Sequence, residues 1–532
     1  MMIATSMPAA VCHARSVVLA LLTSGVLSGV CLPNAARAEE PSQSAAPMEA
    51  RVRALIPDLE AYIRSGMKAY DLPGLAIGIV AGDRLVYAKG FGVRGKAGSA
   101  PVDTRTVFQI GSLTKGFLAT TMAIMVDRGK VHWDDRVIDR YPAFGLQDAW
   151  VTREFRIFDL MAQRSGLRPL VNDVVGLLGY GEPVMIRSLR YVEPVSSFRT
   201  TFAYTNMTHV LAGRIVADLA GAPDWNAVAQ RELLDALGMA ETSFTAEAMK
   251  AAANRAEGHR WTPEDGTIEV PVEPLFPYGF GAAGNINSTL ENMARWVRLQ
   301  LGNGSFEGRR IVSPDSLAYT CLPKVAVEDK VSYAMGWYLA RTRNGSIVWH
   351  DGDTNSFGAF VGMLPDRDVG VIVLTNEGNR GLPVGVGTWA LDRLLDNPAV
   401  DYVADTLKQA TSEMASFENM FVKPANPRPF PTLAPLAGSF GSPVFGKAVL
   451  RPEGDTLVLE LKDTGAALAL APWDGDVFTF RMLPRGRFAP MVANMGDRLR
   501  GFAQFESGKD GKLGVLRLTF AADGQAYEFR LD

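Results

Sequence analysis

The sequence predicts an α/β protein of the α+β kind: an antiparallel sheet flanked by helices, carrying a helical subdomain, followed by a small antiparallel β-barrel. Three observations predict it. An early hairpin pattern gives way to a long stretch of helices and loops and then to strand-like runs and a closing helix, the order expected of a sheet domain with a helical insertion. Beyond Phe421 the chain turns proline-rich, with Pro424, Pro427, Pro429, Pro431 and Pro435 reading as a stiff linker. After it, alternating apolar runs separated by turns such as Glu453-Gly454-Asp455 and Asp474-Gly475-Asp476 make about seven strands. Size and composition agree. A chain of 532 residues exceeds what one core usually holds. Hydrophobic residues at 47% and charged residues at 21% exclude a disordered chain. With 54 Lys and Arg against 57 Asp and Glu and no basic run, nothing suggests nucleic acid.

Taken in order, the chain opens with Arg15, an apolar run from Val17 to Val30, and Ala36-Arg37-Ala38 before Glu39. That is the pattern of an export signal cut after Ala38. An uncleaved anchor competes, but the run is shorter than the ~20 residues a span needs. Cleavage removes Cys12 and Cys31 and leaves Cys321, so no disulfide is expected. Met48 to Tyr70 has helical apolar spacing at Val52, Leu55, Leu59, Ile63 and Met67. Residues 74–80 and 85–91 flank the turn Ala81-Gly82-Asp83-Arg84 as a hairpin.

Ser112-Leu113-Thr114-Lys115 then leads into the strongly apolar helix Phe117 to Asp127. A helix puts residues i and i+3 on one face, so the Lys115 amine lies beside the Ser112 hydroxyl. A lysine in a buried first turn is desolvated, which lowers its pKa and makes it a proton acceptor able to activate a serine. Ser65-Gly66-Met67-Lys68 has the same spacing but reads as an exposed helix face. Residues 134–198 read as helices and loops. Tyr204-Thr205-Asn206 opens a further apolar helix, and no other tyrosine in the chain has Asn two residues on. After the Gly281 to Ser288 turn, Ser288 and Glu291 suggest a capping box for the helix carrying Met293, Trp296 and Leu299. Strands are expected at 336–340, 345–350, 358–364 and 369–375, with a last helix from Thr388 to Leu395. His350-Asp351-Gly352, the only H-x-G triplet after the signal, ends the second of these strands.

With these motifs in this order, residues 48–395 resemble the serine β-lactamase and penicillin-binding family, in its class C-like branch of esterases and D-amino-acid-releasing peptidases. The tail is similar to the lipocalin-like β domain of some exported members. Together with the residue patterns above, the resemblance gives the expected domains: a signal at 1–38, a β-lactamase-like hydrolase domain at 48–400, a helix and proline-rich linker at 401–431 and a lipocalin-like domain at 432–532. It implies Ser112 as nucleophile, Lys115 and Tyr204 as the base and acid pair, and His350 beside them. Asn206, Gly352 and Asp353 would contact substrate, with the N–H groups of Ser112 and Asp353 as oxyanion hole. No metal or cofactor is implied. Many β-lactamases have Lys where His350 stands, which favours an ester, amide or small-peptide substrate over β-lactams, and an activity sensitive to pH near ~6–7. The expected protein is thus an exported, periplasmic or secreted serine hydrolase with no membrane span after cleavage. A β-lactamase and a non-catalytic binder of cell-wall fragments are the alternatives.

Overall fold

The structure, a computed structural model, describes residues 45–96, 98–378, 380–430, 433, 436–507 and 513–532. The expected signal and the linker residues Pro431 and Pro435 lie outside the described residues.

Helix α1 (Ala45–Tyr70) runs through Pro57 and buries Val52, Leu59 and Ile63. It covers one face of an eight-stranded sheet. The strands are β1 (Gly74–Ala81), β2 (Arg84–Gly92), β3 (Val325–Glu328), β4 (Val331–Tyr333), β5 (Tyr338–Thr342), β6 (Gly345–Asp353), β7 (Gly358–Leu364) and β8 (Val369–Thr375). Their order is β2-β1-β8-β7-β6-β5-β4-β3, antiparallel throughout. Successive side chains alternate between faces, so Ile77, Val371 and Val373 pack with α1, whereas Ala76, Ile372 and Leu374 point into the opposite core. Burial on both faces explains why β1, β7 and β8 read as continuous apolar runs. Strands β3 and β4 were not expected. They are short and lie at the sheet edge, where little apolar signal is needed.

The opposite face carries the helical subdomain. Its centre is α2 (Thr114–Asp127), entered through the 3-10 turn Gly111–Leu113 and buried at every position from Thr114 to Met125. A helix that is apolar all round belongs inside a protein. Phe117 stacks on Trp296, and Trp296 on Trp337, joining α2 to the sheet side. Helix α3 (Met207–Ala220) and helix α4 (Leu290–Leu301) enclose it. The cap of α4 is Thr289, not Ser288: Thr289 Oγ1 accepts from Asn292 N at 3.1 Å, while Ser288 is drawn into a strand pair with Phe108. Helix α5 (Leu382–Leu394) begins before the expected Thr388 because Pro383 fits a first turn, whose N–H groups need no intrahelical partner. Helix α6 (Tyr402–Asn419) packs on α5 and leads to the linker.

The C-terminal strands close into an eight-stranded barrel running from Gly438–Ser442 to Ala526–Leu531, with Phe440 opposite Leu531 at the seam. The strand missed in the sequence is Gly438–Ser442, whose two glycines hide it. Phe440, Phe478, Phe480 and Phe529 are buried in it. The barrel rests on the helical subdomain: Tyr180 Oη donates to Phe445 O at 2.5 Å and Asn494 Nδ2 to Pro271 O at 2.6 Å.

Candidate active site

The turn before α2 sets the geometry. Gly111 adopts φ +51, a left-handed conformation that favours glycine, and a Cβ there would lie 2.9 Å from Asp353 N and 2.8 Å from Asp353 O. Gly352 is equally confined, since its Cβ would meet Ile110 O at 2.0 Å. These two glycines let the end of β6 close against the Ser112 turn, backbone on backbone. Ser112 then stands half-buried at the mouth of a pocket with about 810 Å³ of empty space, part of it open to solvent.

Behind it, Lys115 is completely buried. Its Nζ lies 3.0 Å from Ser112 Oγ, 2.7 Å from Asn206 Oδ1 and 2.8 Å from Ala283 O. The same Nζ sits over the Tyr204 ring, 4.8 Å from its centroid. Asn206 is itself oriented, donating from Nδ2 to Asp173 Oδ2 at 2.7 Å. Burial pushes the Asp173 carboxyl up to about 8, against the opposing pull of Asn206 and Lys115.

His350 lies across the pocket from this cluster, 2% exposed. Its Nδ1 is 2.5 Å from Asp351 O and its Nε2 is 3.1 Å from Tyr333 Oη. A carbonyl oxygen can only accept, so Nδ1 carries the proton and Nε2 accepts from the tyrosine hydroxyl. The neutral ring is therefore satisfied on both sides, and burial together with the Lys115 charge lowers its pKa to about 3. This corrects the expectation that His350 titrates near pH 6–7. Beside it, burial and Asp353 push Asp351 up to about 7.

Six of the expected residues thus meet: Ser112, Tyr204, Asn206, His350 and Asp353 line one pocket, and Lys115 backs it. Gly352 does not line it; its backbone supports the Ser112 turn instead. Sequence reasoning missed Asp173, Tyr333 and the aromatic wall formed by Phe276, Phe280 and Tyr338. Asp173 opens the short helix Asp173–Leu177 in a region with no periodic pattern, and a lone aspartate there gives no signal. Among the described residues no group of three or more His, Cys, Asp or Glu side chains could hold a metal ion. No helix of the described residues is long and apolar enough to cross a membrane.

Comparisons with known proteins agree with this architecture. The family model described as Beta-lactamase matches residues 59–394. Penicillin-binding protein 4 of Amycolatopsis lactamdurans is 27% identical over 384 residues, covering 70% of this chain and 93% of that protein. Unguisins hydrolase ungD of Aspergillus violaceofuscus is 26% identical over 429 residues, covering 72% of this chain and 74% of the relative. Among solved structures, the octameric penicillin-binding protein homologue from Pyrococcus abyssi aligns with a TM-score of 0.58 at 21% identity, over 89% of this chain and 99% of that one. The class C β-lactamase from Rhodobacter sphaeroides aligns at 0.53 with 23% identity, over 64% of this chain and 98% of its own. The two structural likenesses speak for the fold, and the family model spans well over half of the chain: it belongs to the β-lactamase family of serine hydrolases, in which penicillin-binding proteins and class C β-lactamases share one fold.

Proposed function

We propose that this serine hydrolase is exported and cleaves small ester or amide substrates through an acyl-enzyme on Ser112. The observation that carries the proposal is the set of partners around Lys115 Nζ. A charged amine donates to all three oxygens. A neutral one has two N–H groups and one lone pair, and Asn206 Oδ1 and Ala283 O can only accept. The lone pair then falls to Ser112, whose hydroxyl alone can donate.

In the proposed reaction Ser112 Oγ gives its proton to Lys115 and attacks the substrate carbonyl. The N–H groups of Ser112 and Asp353 receive the developing oxyanion, a contribution typically worth ~3 kcal/mol per donor. Collapse breaks the bond to the leaving group, which takes a proton relayed by Lys115 and Tyr204. Water, deprotonated by the same pair, then releases the acid and restores Ser112. The Lys115 amine over the Tyr204 ring supports this pairing. His350, neutral and engaged on both nitrogens, shapes the pocket without supplying charge. The basic, apolar and small-residue pattern of residues 15–38 supports export.

A fluorophosphonate probe tests the reading. Wild type is expected to bind one probe per chain, lost in Ser112→Ala, and to hydrolyse p-nitrophenyl acetate faster than nitrocefin. An unlabelled wild type would overturn the serine mechanism, and a dominant nitrocefin rate the substrate preference.

A further inference from the structure

Away from Ser112, a second pocket opens where the barrel meets the helical subdomain, with about 650 Å³ of empty space, part of it open to solvent. Its walls come from three places. Val174 and Leu177 belong to the short helix Asp173–Leu177, Phe417 to α6, and Met482, Met491 and Met495 to the barrel and the helix Ala489–Met495 beside its strands. The helix Asp173–Leu177 is a partition: Asp173 lines the Ser112 pocket, whereas Val174 and Leu177 line this one. Protein interiors are close-packed, so apolar space left open at this size is where a small ligand buries its surface. The three methionines suit a flexible occupant, because their unbranched side chains adapt to its shape.

The charged groups in the wall are cationic. Arg498 and Arg500 both line the pocket. Arg500 is half-buried, and its Nη2 donates to Met495 O at 3.0 Å and to Gly496 O at 2.8 Å, carbonyls of two residues that line the same pocket. The guanidinium is thus pinned to the wall by one nitrogen of its fork, while Nε and Nη1 carry three further N–H groups. Among the described residues no carboxylate is in ion-pair contact with it: the neighbouring Asp497 is taken by Arg481 Nη1 at 3.0 Å. Arg498 has only a long contact, its Nη2 standing 3.8 Å from Glu418 Oε1.

We propose that this pocket binds a straight-chain carboxylic acid of the fatty-acid class, its tail between the Asp173–Leu177 helix and the methionines and its carboxylate on Arg500 and Arg498. A planar guanidinium takes a carboxylate through paired N–H···O bonds. A sugar or a peptide would instead leave polar groups unpaired against the apolar walls. Burial and Arg498 pull the Arg500 guanidinium down to about 10, a shift that a bound carboxylate opposes. Binding is reversible, makes no covalent bond, and does not depend on the chemistry at Ser112.

Calorimetric titration of the full chain with octanoate, octanol and acetate tests this. Octanoate is expected to bind at least about tenfold tighter than octanol, which has the tail without the charge, and at least about 100-fold tighter than acetate, which has the charge without the tail. Arg500→Gln is expected to lower the octanoate affinity to that of octanol. Met495→Trp, which fills the pocket and keeps the backbone carbonyl that holds Arg500, is expected to abolish binding of both, and it carries the test where Arg500→Gln does not fold. No octanoate binding to wild type, equal affinities for octanoate and octanol, or octanoate binding unchanged in folded Met495→Trp protein would each overturn the proposal.

Discussion

At the scale of single residues, the neutrality of His350 has a measurable cost. Its pKa in the folded chain, about 3, lies below the ~6.5 of an exposed imidazole, because burial and Lys115 both oppose its charge. The native state therefore favours the uncharged ring. Stability from this group is complete above pH ~6.5 and is lost as pH falls toward the folded value. Between pH 7.5 and 4.5 wild type is expected to lose about 2 kcal/mol more than His350→Gln in urea unfolding, since glutamine has no proton to bind. Parallel stability profiles for the two proteins would show that His350 is not held neutral. Ser112, Lys115, Tyr204, Asn206 and His350 were legible in the sequence because each sits in a motif with a chemical reason for its spacing. The charge state of His350 was not. It depends on Tyr333, seventeen residues earlier and across the sheet, and on burial that no local pattern reveals.

At the scale of elements, the junction of the Ser112 turn with β6 is built on glycine. Replacing Gly111 by Ala would force a side chain into φ +51 and drive its Cβ to within 2.9 Å of the Asp353 backbone nitrogen. Left-handed backbone costs a non-glycine residue about 1 kcal/mol, a modest loss to the whole fold. In the proposed mechanism, moving the Ser112 and Asp353 N–H groups apart is costlier to the reaction, because oxyanion donors act only in the right place. Gly111→Ala is thus expected to slow single-turnover acylation by about 100-fold while unfolding only slightly more easily. A loss of stability without loss of acylation rate would refute this use of the junction. The elements themselves were mostly readable. Continuous apolar runs marked the buried strands β7 and β8, and the apolar character of α2 marked its burial. What failed were ends and edges. The α4 cap moved to Thr289 because strand pairing with Phe108 claimed Ser288, a tertiary contact that local capping rules do not contain.

At the scale of the whole molecule, a hydrogen-bonded path runs from the barrel to the pocket beside Ser112. Tyr527 Oη lies 2.9 Å from both Asn172 Oδ1 and Asp523 Oδ2. Asn172, at φ +62, is held on its other side by its Nδ2 bond to Ser188 Oγ at 2.7 Å. It is followed directly by Asp173, and two residues earlier the Leu170 N–H donates to Tyr204 O at 2.7 Å. The barrel therefore braces the short loop whose ends touch both Tyr204 and the Asp173 to Asn206 to Lys115 series. Only one hydroxyl proton serves two acceptors here, so the second bond needs a proton on Asp523, whose carboxyl burial pushes up to about 6. Removing the hydroxyl in Tyr527→Phe leaves Asn172 Oδ1 without its donor while preserving the ring packed against Phe445. The expected result is a kcat about tenfold lower, measured well below the unfolding temperature, because the loop loosens around groups proposed to move protons and to orient the substrate. A purely structural brace would instead lower the melting temperature and leave kcat per folded molecule intact, and that outcome would separate the barrel from the chemistry.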